Sequence, residues 1–251
     1  MLPLIHAAGL QFLSWSLGLV ATLALLDSKN GLVRDHPPRA WRVAGRLPGP
    51  LAALSLAAVV LGGAPRWVSL GLVLPYALMA LGASWAWYRG AAADVRRQQE
   101  REAAILGLLA VLFASLAQTD ADGLPALSLA ASLGGAALVG GLAILALSGA
   151  LGGRWDEVEV HPNCDGIPVR VVFTGLGLTL LAASDVGRAV FAGGIAVPEP
   201  LLLWLGCSLL VPGLLVAAGC RLGAWNRPLL WSSACCAAAL GQMALQTVLV
   251  A

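Results

Sequence analysis

The sequence predicts an all-α protein, a polytopic helix bundle with lipid as its solvent. Three observations predict it. Apolar residues make up 59 % of the 251 residues and charged residues only 11 %, whereas a soluble domain needs roughly 25 % charged residues to cover its surface. The mean hydropathy is +0.84. Finally, the apolar residues fall in eight runs close to the ~20 residues that cross a bilayer, at roughly 7–27, 48–64, 67–88, 103–119, 124–150, 168–192, 200–220 and 228–250. Polar or Pro/Gly-rich connections too short to fold alone separate them, so residues 1–251 read as one integral membrane domain.

Each run has its own signals. The first follows "MLPLIHAAGLQFLSW", which has no basic stretch before its apolar part; it reads as a permanent span and not a cleaved leader. "DSKNGLVRDHPPRAWRVAGR" separates it from the second run, which is short. The third holds Pro75 and ends at Arg89. The fourth, also short, follows "RGAAADVRRQQERE" and ends near Gln118, Asp120 and Asp122. The fifth carries Gly134, Gly135, Gly140 and Gly141, small residues that let neighbouring helices approach closely. The sixth contains Asp185 and Arg188, the seventh Pro212, and the eighth Gln242 and Gln246. No internal repeat is evident, and Pro75 and Pro212 do not fall at matching positions.

Charge sets the orientation. With eight crossings, the connections after runs 1, 3, 5 and 7 share a side and hold thirteen of the fifteen basic residues; only Arg66 and Arg188 fall opposite. Short loops rich in Lys and Arg stay in the cytoplasm, which puts both termini outside. The chain is expected in the cell inner (plasma) membrane as a multi-pass protein.

The same reasoning locates the polar residues. Asp185 and Arg188, three apart, share a helical face and can pair. If the sixth span starts near Val169, Asp185 lies ~24 Å along it, close to the outer boundary of a core ~30 Å thick. His6, Gln11, Arg66, Gln118, Gln242 and Gln246 also fall towards the outer side. A mostly hydrocarbon substrate with a polar ring head, such as a quinol, suits such a zone. Polar residues also reach the interface at little cost, so two readings stand. Asp185–Arg188 is an interfacial pair that fixes a helix end, or it lines a site. Gln242 and Gln246 read as groups that bond between helices rather than as ligand contacts.

Metal chemistry finds little support. A haem buried between spans needs axial His or Met ligands, and His6, His36 and His161 all lie outside span interiors. No haem or metal is expected in this chain. The five cysteines form no CxxC pair, and "VEVHPNCDG" reads better as a turn than as a metal loop. Cys235 and Cys236 read as packing residues deep in the eighth span. Nothing points to nucleic acid.

The order of features resembles the membrane anchor subunits of the dimethyl sulfoxide reductase family. "LAQTDADGLPALSLAASLGGAALVGGLAILALSG" is similar to that family's polar outer turn and paired-glycine helix. "LGGAPRW" looks like its outer turn after span 2, and "AALGQMALQTVLVA" is similar to its closing helix. The resemblance implies eight spans and a non-catalytic subunit of an anaerobic oxidoreductase complex. Such a subunit oxidises a quinol (menaquinol or ubiquinol) near the outer face. It passes the electrons to an iron–sulfur subunit that a molybdopterin catalytic subunit accompanies. Val60 stands where the family has an outer histidine, Gln242 where it has a glutamate and Gln246 where it has an arginine. If the chemistry persists, Asp185 and His6 are the nearest replacements for proton acceptance, with Arg188, Arg66, Gln118 and Gln246 holding the quinol. A membrane scaffold or assembly protein without redox chemistry and a small-solute transporter are the alternatives.

Overall fold

Long apolar runs leave a backbone in lipid one open structure that satisfies its own hydrogen bonds, the helix, and the computed structural model forms helices throughout. It describes residues 2–29, 37, 39–63, 66–118, 125–151, 163–193, 199–221 and 227–250. The helices are α1 (Leu2–Lys29), α2 (Arg39–Ala44), α3 (Pro48–Leu61), α4 (Arg66–Val68), α5 (Leu74–Arg89), α6 (Ala93–Gln118), α7 (Pro125–Leu151), α8 (Asn163–Gly193), α9 (Glu199–Leu205), α10 (Val211–Arg221) and α11 (Arg227–Val250). Two wide π-turns, Ser69–Val73 and Gly206–Leu210, join α4 to α5 and α9 to α10.

Among the described residues, seven stretches are long and apolar enough to cross a membrane: Ile5–Leu26, Arg39–Leu61, Leu70–Arg89, Leu129–Leu151, Gly166–Ser184, Glu199–Gly219 and Pro228–Leu245. The chain is therefore a multi-pass membrane protein. Of the expected segment 103–119, residues 103–118 are helical. Its helix, α6, begins with the charged run from Asp94 to Glu102, and only the part after that is apolar. α6 nevertheless runs antiparallel beside α5. Gly90 makes the reversal, because it takes the left-handed conformation (φ 67°) that only glycine adopts freely. Ala91 N–H then donates to the Ala86 carbonyl at 2.9 Å, closing the helix end. From there Trp87 meets Glu100, Tyr76 meets Gly107, and Val68 and Val73 meet Ala110 and Ala114.

The helices form two four-membered units with one packing scheme. In the first, α1 packs on α3 and α6, and α5 on α6; in the second, α7 packs on α8 and α11, and α9–α10 on α11. α1 and α7 join the units. Their crossing is bare backbone: a methyl on Gly18 would land on the Ala136 carbonyl, and one on Gly140 would land on the Gly18 carbonyl. The expected role of the glycines of the fifth run is borne out here. Gly134 and Gly141 take α8 in the same way, at Thr179 and at Val172 with the Pro168 carbonyl. α1 is the hub, with 78 % of its apolar window buried against 28 % for Glu199–Gly219.

The π-turns correct the impression that Pro75 and Pro212 are unrelated. Each proline follows its π-turn by two residues. Proline supplies no N–H and collides with the carbonyl four residues back, and a π-turn accommodates both by widening the helix there. The two prolines thus share one local solution in the third helical rod of each unit.

One end of the bundle is basic and aromatic. The Arg46 guanidinium lies 5.2 Å from the Tyr88 ring centre, that of Arg89 4.8 Å from Trp85, and that of Arg96 4.5 Å from Trp87. Trp85 and Tyr88 stack at 5.5 Å. The Trp87 indole N–H donates to a Glu100 carboxylate oxygen at 2.5 Å, with Glu100 only 1 % exposed. Trp and Tyr beside arginines are typical of a membrane–water boundary.

Candidate functional site

Polar side chains continue from the basic end into the bundle. The Gly49 N–H donates to Ser84 Oγ at 2.8 Å, tying α3 to α5. Deeper, Ser16 Oγ donates to the Pro48 carbonyl at 2.8 Å and sits 2.6 Å from the Tyr76 hydroxyl. Since the Ser16 proton goes to Pro48, Tyr76 donates to Ser16. This chain fixes α1, α3 and α5 together; beside it on α3 the buried Ser55 hydroxyl has no hydrogen-bond partner.

Towards the far end the pattern changes. The Gln11 amide accepts from the Trp15 indole N–H and donates to the Gln242 backbone carbonyl at 3.3 Å, in the orientation that the hydrogen-bond network assigns. Gln242 is 1 % exposed, and its amide lies against Gly135, which has no side chain to displace it. The amide nitrogen of Gln242 has no hydrogen-bond partner. The same holds for the Trp204 indole nitrogen, the Ser208 hydroxyl and His6 Nδ1.

The sequence-predicted residues sort into two corners of this far end. At the first, Gly62 of α3 packs on the His6 backbone of α1. Arg66 opens α4 just beyond, and α4 packs on α6, which ends at Gln118. His6, Arg66 and Gln118 therefore gather around one corner. At the second, Ala182 of α8, Leu245 of α11, Trp204 of α9 and Ala131 of α7 form one apolar cluster. Asp185 follows Ala182 by three residues and Gln246 follows Leu245 directly, so Asp185, Arg188 and Gln246 belong to this corner. His6 is half-buried. The side chains of Arg66, Gln118, Asp185, Arg188 and Gln246 lie outside the described residues, as do Asp120 and Asp122. No packing cluster among the described residues joins His6 to Asp185; Gln11 and Gln242 lie on the helices between the corners.

Val60 is 52 % exposed, on the side of α3 turned away from the bundle. Cys235 packs in the core of the second unit with its thiol 3.9 Å from the Val139 carbonyl, while Cys236 is exposed on the apolar surface. Among the described residues no three His, Cys, Asp or Glu side chains group as metal ligands would.

Sequence reasoning missed Trp204 and Ser208. The available signal was their four-residue spacing, which puts two polar groups on one face of an otherwise apolar run. What the run could not show is which face points inward. No protein family matches the chain, and no curated protein or solved structure matches it.

Proposed function

We propose that this chain is the membrane anchor and quinol-binding subunit of a respiratory oxidoreductase. In this reading it crosses the inner membrane eight times, α6 included, with the basic end cytoplasmic and both termini outside. The observation that carries the reading is the placement of the polar candidates. His6, Arg66, Gln118, Asp185, Arg188 and Gln246 all fall at the end opposite the arginine- and tryptophan-rich boundary.

A quinol that gives up two electrons releases two protons, and its site needs acceptors of matched basicity. Asp185 takes one proton and His6, through water, the other, while Arg188, Arg66, Gln118 and Gln246 hold the quinol oxygens. The electrons pass outward to an iron–sulfur subunit and from it to a molybdopterin catalytic subunit. The resemblance in feature order supports these partners.

The lipid-facing position of Val60 favours a second reading, a scaffold or assembly protein without redox chemistry, because the site of the family's histidine has no access to the interior. One experiment separates the two. The chain is purified from its own membranes in mild detergent, and the complex is analysed for iron, molybdenum and extracted quinone. Iron–sulfur and molybdopterin partners with bound quinone support the first reading. Partners without quinone support the scaffold, and no partners at all overturn both.

A further inference from the structure

We propose that the interior of the second four-helix unit is a binding site for a lipid-soluble molecule whose polar head is a carbonyl group, reached sideways from the bilayer. The proposal concerns the chain alone and holds whether or not the chain anchors a redox partner.

The site rests on three buried polar groups. Trp204 and Ser208 are fully buried on the inner face of α9 and its π-turn, and Gln242 is almost fully buried on α11. The packing brings them to one axis. Gly241, next to Gln242, lies directly against Ser208 Oγ. Leu245, one turn from Gln242, shares a cluster with Trp204. Gly135 of α7 backs the Gln242 amide, and Ala131, one turn further along α7, reaches the Trp204 cluster. All three polar groups lack a hydrogen-bond partner.

The chemistry of the missing partner follows from the groups themselves. An indole N–H and a primary amide nitrogen only donate, and a serine hydroxyl donates readily. Three donors without acceptors are costly in lipid, where no water replaces the missing bond. A ligand that supplies acceptor oxygens and no charge relieves that cost. Its body must be apolar, because alanine and leucine line the rest of the cluster. A quinone ring and the ester carbonyls of a glycerolipid both fit this description.

The packing also provides the way in. α8 meets the α9–α10 rod mainly at the π-turn, whereas its counterpart α3 packs along α5 as well as on the other π-turn. A seam therefore opens between α8 and α10. Gly206 and Gly213 flank Ser208 along the rod, and a methyl group added at either would touch nothing within 4 Å. The rod thus has free space on its outer side to either side of the π-turn, and π-turns of this kind recur at functional sites. In the first unit the equivalent space holds Tyr76, whose hydroxyl is bonded to Ser16.

The test uses the full chain, delipidated in detergent. Decylubiquinone and dihexanoyl phosphatidylcholine are titrated separately, and binding is read as the rise in melting temperature that a ligand for the folded state produces. At least one compound should stabilise the wild type, and which one does identifies the source of the carbonyl. Gln242→Leu and Ser208→Ala should each weaken that binding about tenfold, as expected for one lost hydrogen bond in a buried site. Gly213→Leu should reduce that rise by filling the seam. Gly177→Leu, on the lipid face of α8, should leave binding unchanged. If Gln242→Leu does not fold, Ser208→Ala decides the question, since it removes only one oxygen. The proposal is overturned if neither compound stabilises the wild type, or if Ser208→Ala and every folded Gln242 variant bind as the wild type does.

Discussion

Gly18→Ala is the substitution that most directly tests the packing of the two units. The added methyl would lie 2.7 Å from the Ala136 carbonyl carbon and closer still to its oxygen, where ordinary contact is at least 3.4 Å. The obstacle is backbone, so no rotamer change relieves it, and α1 and α7 must part by roughly 1 Å. A gap of that size forfeits about a quarter to a half of the dispersion energy of the separated contacts. Overpacking of a tight core costs about 1–3 kcal/mol, and a rigid backbone clash at the hub belongs at the upper end, about 3 kcal/mol. For a chain of this size each kcal/mol lowers the melting temperature by roughly 2–4 °C, so the midpoint should fall by roughly 6–12 °C. Gly177→Ala is the control: its methyl meets nothing within 4 Å, and alanine is the better helix former by about 1 kcal/mol. The assay is heating in dodecyl maltoside followed by size-exclusion chromatography with fluorescence detection. Gly140→Ala clashes at the same crossing, so combining it with Gly18→Ala should cost less than the sum of the two. If Gly18→Ala melts within about 2 °C of Gly177→Ala, the close approach of α1 and α7 is wrong.

Three other outcomes follow from the structure. Glu100→Leu leaves the Trp87 indole N–H without an acceptor and should cost about 1–3 kcal/mol, whereas Glu100→Gln keeps an acceptor and should cost less; equal melting temperatures for the two would refute the pairing. A cysteine at position 2 or 251, in a chain stripped of its native cysteines, should react with an impermeant thiol reagent in intact cells, and labelling only after lysis would reverse the proposed orientation. Asp185→Asn keeps the shape of the side chain but cannot accept a proton, so quinol-dependent turnover of the assembled complex should drop more than tenfold, toward the range general-base catalysis contributes; turnover that stays within about twofold would leave the Asp185–Arg188 pair a purely structural feature.

The sequence carried the solvent, the helical class and the approximate bounds of the apolar stretches, because these follow from composition and length. It also carried the packing role of the glycines between Gly134 and Gly141, since small residues in lipid have few other uses. It did not carry the inward face of each helix. Glu199–Gly219 is apolar apart from the face of Trp204 and Ser208, and nothing in its pattern says that this face, and not that of the exposed Leu203 and Leu210, turns inward. The charged start of α6 concealed how far that helix continues beside α5, because Glu100 is buried by its bond to Trp87, a contact thirteen residues back. The relation between Pro75 and Pro212 was hidden for a similar reason: the register of a π-turn is set by the proline that follows it and by neighbouring helices, not by a shared motif. Of the candidate site, Gln242 reads as a side chain that bonds between helices, but the bond found there runs from Gln11 to its backbone carbonyl and its amide nitrogen has no partner. Its unpartnered amide nitrogen depends on Gly135, a residue more than a hundred positions away.

The central position of α1 has a consequence for biosynthesis. It is made before every helix that packs on it, and the helix that covers it at Gly18, α7, is complete only ~120 residues later. At about 5–20 residues per second, that interval lasts roughly 6–24 seconds. During it the polar residues of α1, Gln11, Ser14, Ser16 and Thr22, face lipid or the insertion machinery instead of the helices that later bury them. Tyr76 and Pro48 arrive first and cover Ser16; Gln11 must wait for Gln242 on α11. A nascent chain stalled before α7 should therefore stay bound to its insertase, and one stalled after α11 should be released.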